Sequence, residues 1–526
     1  MNKIKKLLTL LKEDGVEYIA YKTKKKMQSK FAEAKTLYSD AELAYLKYDD
    51  VGGAICFSVL VPLYNTPERL LREMIDSVRE QIYPNWELCL ADGSDADHEY
   101  VGKICEAYAN EDSRIRYQKL DENKGISGNT NACIEMSTGE YIALFDHDDL
   151  LHPAALYEVF NAIYSEGADF IYTDETMFYE TPADAYSPHY KPDFAPDTLR
   201  SYNYITHFSV FSRALMDRVG MFRSEFDGSQ DYDMILRLTE RAKKIVHIPK
   251  ILYYWRNHPG SVASDVSVKP YTMVSARKAL AEHLKRVGLK GTVEDSSVLT
   301  TYRIQYDIEG TPLVSILFDE HPLEECVEAI RKITSYPNYE IVTDGQVNGE
   351  YVLFLSDFVR PTTPDWVEQM LMFAQREDVG AVGGLIRYAD GSVYSAGKII
   401  GVNGTAGDAH HRFPEEHEGY KFRLTLAQNY SAVSSACMMV RRDIWERYGA
   451  FDAAMGPLAD VDFCLRLREE GYLVVWTPYA KMVTQENKKR KAWNSLRKKF
   501  HEKWGDKKDP YYNPNLTLLR GSFEEK

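Results

Sequence analysis

No stretch of this 526-residue chain approaches the roughly 20 consecutive apolar residues that a membrane span needs. No secretory signal pattern opens it either. Its seven cysteines are an odd number with no CxxC pair, which argues against a disulfide frame or a zinc site and for reduced thiols in a cytoplasm. A Gly-rich, basic triphosphate loop is also missing. The turn after the first apolar run reads VPLYNTPER, so a nucleotidyltransferase would lack its phosphate cradle. Positive charge is scarce in the body: the chain carries −15 overall, yet residues 1–30 hold +6 and residues 486–508 hold +7, leaving −28 between them. Such a body argues against nucleic acid as a main partner. Two basic ends suit an anionic membrane surface better.

What is present is a globular composition, 44% hydrophobic and 12% aromatic, long enough for two to four domains. Its 37 tyrosines are a weak hint of sugar- or base-binding surfaces. Near the start, Ile4, Leu7, Leu8 and Leu11 recur at helical spacing among lysines. They predict a basic amphipathic helix that is either a peripheral membrane foot or an ordinary packed helix.

The most informative stretch is Gly139 to Pro153, GEYIALFDHDDLLHP. A short apolar run ends abruptly at Asp146, Asp148 and Asp149. The run predicts a buried strand, and acids at its carboxyl end fall at the mouth of an α/β sheet, where ligands of open sheets bind. Three acids in four positions repel one another unless a cation or basic partner sits among them. Oxygen ligands favour Mg²⁺ or Mn²⁺, which commonly bridge to phosphate; the alternative is a solvated acidic turn capping the next helix.

Around it the chain alternates strand and helix, from CFSVLVPLYN through Trp86–Ala91, a strand near Ile115–Tyr117, and further strands at 170–174, 206–212 and 251–256. That pattern predicts a mostly parallel sheet with helices on both faces. Tyr179 to Thr198, with four prolines, reads as a long loop. The chain then repeats itself. YPNWEL at 83 returns as YPNYEI at 336, GEYIALFDHDD at 139 as GEYVLFLSDF at 349, and GSQDYDMILRL as PLADVDFCLRL, matching Asp231 with Asp460. The second copy is shorter by 43 residues between its first two elements and longer by 19 before the acidic helix, so it is a cut-down duplicate. The expected layout is a basic helical segment at 1–50, a catalytic domain at 51–270, a linker helix and strand at 271–310, a degenerate copy at 311–486 and a basic tail at 487–526.

With VPLYN, ADGSD, DHDD and GSQDYD in order, followed by WRNHPGS, the chain resembles glycosyltransferase family 2, the GT-A fold. Its tandem form resembles enzymes of bacterial surface polysaccharides such as rhamnans and O-antigens. The resemblance implies that Pro62, Tyr64 and Asn65 lie against the nucleotide, with Asp92 at the base ring and Asn123 and Gly125 in a nearby turn. It implies Asp146 and Asp148 on the metal and diphosphate, Asp149 in support, and Asp231 as catalytic base. His258 joins the metal or diphosphate in some members. Read from the residues alone, Asp231 could instead cap a helix, His258 could be structural, and Trp255 and Arg256 could be core and surface residues.

The function so implied is inverting, metal-dependent transfer from a nucleotide sugar to a glycan or lipid-linked glycan, in the cytoplasm or at the inner membrane face. A homo-oligomer is compatible with the sequence. The competing class is a non-catalytic carbohydrate-binding or assembly subunit. In the second copy the nucleotide platform is missing and one acid stands where two are expected, so that copy should not hold a donor.

Overall fold

A computed structural model describes residue 42 and residues 55–258, 270–318, 322–342, 346–449, 451–485 and 494–526. The basic helix expected near residues 4–12 and the Pro259–Ser261 end of WRNHPGS lie outside them. Among the described residues no helix is long and apolar enough to cross a membrane.

The first domain is built on nine strands: β1 (Phe57–Leu63), β2 (Trp86–Asp92), β3 (Ile115–Lys119), β4 (Tyr141–Leu144), β5 (Leu150–Leu151), β6 (Phe170–Phe178), β7 (Tyr186–His189), β8 (Ser209–Ser212) and β9 (Ile245–Arg256). Their order is β3-β2-β1-β4-β8-β6-β9-β5, with β7 added to β6. Alternation along β1 explains the two covered faces. Phe57, Val59, Val61 and Leu63 pack with helices α1 (Glu68–Arg79) and α2 (Tyr100–Glu111), while Leu60 packs with α3 (Gly125–Met136) on the other side. The helices α4 (Ala155–Glu166), α5 (Pro196–Ser201), α6 (Arg213–Val219) and α7 (Gln230–Arg241) complete the layers.

The α/β class stands, but the sheet is mixed. Its β1–β2, β1–β4, β2–β3 and β6–β9 ladders are parallel, whereas β4–β8, β6–β8, β6–β7 and β5–β9 are antiparallel. The parallel β1–β4 group gathers its strand ends at one edge. Residues 179–198 are not wholly loop either. Tyr186–His189 zips onto β6, and a helix with proline in its first turn begins at Pro196.

Helix α8 (Pro270–Arg286) and the antiparallel hairpin β10 (Gly291–Asp295) with β11 (Tyr302–Tyr306) lead to the second sheet. Its order by residue is 339–342, 314–318, 351–355, 437–441, 379–388, 473–484, 359–361. This repeats β2-β1-β4-β8-β6-β9-β5, with nothing among the described residues in the place of β3. Local bonds repeat too. Ser58 Oγ donates to Glu87 and accepts from the Gly139 amide, as Ser315 Oγ does with Glu340 and Gly349. Asp233 pairs with Arg237 as Asp462 does with Arg466.

The last residues are no free tail. Asp509 accepts from Ser431 and from the Ile400 amide in the second domain, and Asn513 Nδ2 meets both carboxylate oxygens of Asp174 in the first.

Candidate active site

The ends of β1, β2 and β3 frame a cavity of about 690 Å³ lined by Tyr64, Asp92, Lys119 and Asn123 among others. Asp92 is fully buried at its floor. Its oxygens accept from the Ser94 amide at 2.8 Å, the Tyr117 hydroxyl at 3.0 Å and Lys119 Nζ at 3.1 Å. Asn65 clamps two turns together: its Nδ2 donates to Asp95 at 2.8 Å, and its amide donates to Ser94 Oγ at 2.8 Å. Asn123 Oδ1 accepts from the Gly125 amide, and Gly125 needs its freedom because φ is +75° and a Cβ there would meet Asp227 at 2.8 Å. Tyr64, Asp92 and Asn123 therefore face the cavity, while Pro62, Asn65 and Gly125 shape it from behind.

The carboxylates stand at the end of β4. Pairing of β5 with β9 brings Tyr253 and Arg256 against the 146–149 turn. Asp149 is buried, accepting from the Tyr253 hydroxyl at 2.5 Å and the Arg256 amide at 2.7 Å. The Arg256 guanidinium is buried rather than on the surface. It donates to the Asp148 carbonyl at 2.7 Å and pairs with Glu73 at 2.7 Å. Asp148 is held by His258 Nε2 at 2.8 Å.

Asp146 keeps much of its side chain open and faces His207, with Oδ2 to Nε2 at 3.9 Å. Sequence reasoning missed His207. It precedes an antiparallel strand and belongs to no motif, and its ring is fixed by stacking on Tyr253 with centroids 4.5 Å apart. Behind it lies buried Glu175, which accepts from Lys191 Nζ at 3.0 Å and from the His207 amide at 3.3 Å.

Protein crowded around the cleft raises Asp146 although about half of its side chain is open to solvent, and Asp231 and Asp148 add to the rise; burial, then Asp148 and Asp146, push Asp149 well above the usual carboxylate range. Asp231 is lifted to about 6 by burial, against a hydrogen bond from Gln230 Nε2 at 3.2 Å. It does not cap α7: Ser229 holds that position, and Asp231 is the second helical residue. Asp233 is structural, gripped by Arg223 and Arg237. His207 is lowered to about 4, chiefly by burial, and is neutral at pH 7.

Oxygens of Asp146 and Asp149 and a ring nitrogen of His207 lie within 4.8 Å of one another, an arrangement that suits a divalent cation. His147 adds a buried Nδ1 with no hydrogen-bond partner among the described residues. The expected Asp146–Asp148 pair is thus split: Asp146 joins Asp149 and His207, and Asp148 is bonded to His258.

Among the described residues the second sheet lacks this arrangement. In register with Asp146 and Asp148 stand Ser356 and Phe358, and Asp460, the counterpart of Asp231, is paired with Lys398 at 3.1 Å.

Residues 58–221 match the family model described as Glycosyl transferase family 2. An uncharacterized protein y4gI of Sinorhizobium fredii is 40% identical over 89% of this chain and 58% of its own length. The O-antigen biosynthesis protein RfbC of Myxococcus xanthus is 32% identical over 88% of this chain and 40% of its own. The chain thus spans about half the length of these relatives. A crystal structure of S. aureus TarS in complex with UDP-GlcNAc is 20% identical, with a TM-score of 0.37 over 44% of this chain and 66% of TarS. Residues 58–221, within the first sheet domain, are thus similar to glycosyl transferase family 2.

Proposed function

We propose that the first domain moves a sugar from a nucleotide-sugar donor to an acceptor hydroxyl during assembly of a surface polysaccharide, with inversion at the anomeric carbon. The O-antigen role in the name of the RfbC relative supports the polysaccharide setting. The observation that carries the reading is that Asp231, lifted to about 6, shares a cleft with Asp146 closely enough to act on its charge. A carboxylate of that proton affinity is suited to general-base work at neutral pH.

The 690 Å³ cavity would take the base and ribose, with Asp92 held rigid beneath them. Asp146, Asp149 and His207 would hold a Mn²⁺ or Mg²⁺ ion, with Asp148 and His258 alongside. Such an ion supplies Lewis-acid stabilisation of charge developing on the leaving diphosphate. Asp231 takes the acceptor's hydroxyl proton as that oxygen bonds to the anomeric carbon and the bond to the diphosphate breaks. Arg256 keeps the carboxylate turn from drifting, through the Asp148 carbonyl and its own amide on Asp149.

The second domain does no transfer in this reading. Lys398 supplies internally the positive charge that its remaining acid needs. A basic amphipathic segment at residues 1–30 would seat the enzyme on an anionic membrane face.

The deciding experiment compares wild type with Asp231→Asn for Mn²⁺-dependent transfer from a panel of nucleotide sugars. The variant should bind donor as wild type does and lose about 10²–10⁴-fold in turnover. Full turnover by the variant would sink the assignment.

A further inference from the structure

Outside the nucleotide cleft, the two domains meet along a seam that leads back to the carboxylates. From the first domain, the Tyr186 ring stacks on Tyr179 with centroids 4.6 Å apart, and its hydroxyl accepts from Asn257 Nδ2 at 2.7 Å. His189 faces Tyr202, with ring centroids 6.5 Å apart. From the second domain comes the turn at Tyr420–Phe422. Tyr420 Oη accepts from the Tyr190 amide at 2.8 Å and donates to the Pro188 carbonyl at 3.2 Å. Lys421 Nζ donates to Ser187 Oγ at 3.2 Å. Three of these non-glycine residues hold left-handed backbone: Ser187 at φ +50°, Lys421 at +44° and Phe422 at +64°. Such conformations are strained and persist where the surroundings over-determine them.

The Lys421 ammonium is close enough for its charge to act on both Glu175 and His189. Glu175 in turn holds the backbone of His207, and His207 faces Asp146. A second observation points to a ligand. Arg423 is 3% exposed, yet its Nε and Nη2 have no hydrogen-bond partner among the described residues. Gln428 Oε1 is equally unpartnered there, and the Arg423 guanidinium lies over the Tyr430 and Phe523 rings, 5.3 and 5.1 Å from their centroids. Arg423 also borders the seam, since the Phe523 ring it covers stacks on Tyr420 with centroids 5.6 Å apart. Buried donors and acceptors left unpaired are costly, and a polyhydroxyl molecule against aromatic faces would satisfy both kinds.

We propose that this seam is the acceptor-saccharide site, and that the second domain contributes Lys421 to it as a binding residue. The inference rests on the transfer reading above. It gives the duplicate domain a task its own lost donor site cannot perform: closing the acceptor side of its neighbour.

The test uses the full chain as wild type, Lys421→Met and Lys421→Arg. Saturation-transfer NMR is recorded against methyl glycosides of glucose, galactose, rhamnose and N-acetylglucosamine. Thermal stabilisation by UDP, GDP or dTDP with Mn²⁺ is measured on the same samples. Wild type should bind at least one glycoside, Lys421→Met should bind it about tenfold more weakly, and Lys421→Arg should recover most of the loss. Nucleotide stabilisation should be the same in all three, which also shows that the variants fold. A wild type that binds no glycoside overturns the proposal, as does Lys421→Met binding like wild type. Absence of nucleotide stabilisation in wild type would instead bring down the donor reading, whatever the glycosides do.

Discussion

Burial lifts Asp231 to about 6, which sets its sensitivity to pH in two ways. As a base it works when deprotonated, so turnover should rise with pH through about 6 and level off above; a profile flat between pH 5 and 7 would contradict the assignment. As a half-buried acid it opposes folding when charged. Its folded proton affinity exceeds the unfolded value of 3.8, so the native state binds more protons between these limits and stability falls as pH rises through them. Asp231→Asn should therefore melt higher than wild type near pH 7, by at most about 3 kcal/mol, with the gain gone near pH 4. Paired scans at the two pH values check this. Asp231 and Asp146 were legible in the sequence because each sits in a short acidic motif beside an apolar periodicity. His207 was not, because its place depends on a ring stacking against Tyr253, 46 positions later, which no local spacing encodes.

At the scale of elements, the carboxylate turn at residues 146–149 depends on β9. Arg256 reaches from its end to the Asp148 carbonyl, to Asp149 through its amide and to Glu73 on α1. Arg256→Met should lower stability by about 3 kcal/mol, because it strands buried partners. It should also raise the Mn²⁺ concentration needed for half-maximal transfer several-fold; an unchanged Mn²⁺ requirement in the folded variant would show that the turn holds itself. In the duplicate, Asp460→Asn should leave transfer by the first domain within about twofold of wild type, since Asp460 is engaged by Lys398 and the Ser435 amide inside the second domain. Strand and helix order was readable along the chain from periodicity. The antiparallel insertion of β8 between β4 and β6 was not, because strand direction is decided by tertiary pairing rather than by residue pattern.

On the scale of the whole molecule, the domains are tied by charge removed from water. Arg376 of the second domain pairs with Asp197 of the first, both fully buried in their side chains, and Asn429 Nδ2 donates to the same carboxylate at 2.9 Å. Arg376→Met should cost about 3–5 kcal/mol and split a single calorimetric transition into two; one undivided, unshifted transition would show that the seam is not cooperative. No sequence pattern announced this tie, since its partners stand 179 positions apart. The contact between Asn513 and Asp174 carries a further consequence for biogenesis. Asp174 lies inside the first sheet, next to the residue that supports His207, and one of its neighbours is supplied 339 positions later. A ribosome making this chain will have released the whole cleft at the ends of β1, β2 and β3 long before that neighbour leaves the exit tunnel. The cleft of the first sheet can thus be shaped early, while the interior beside His207 waits for residue 513 to be translated.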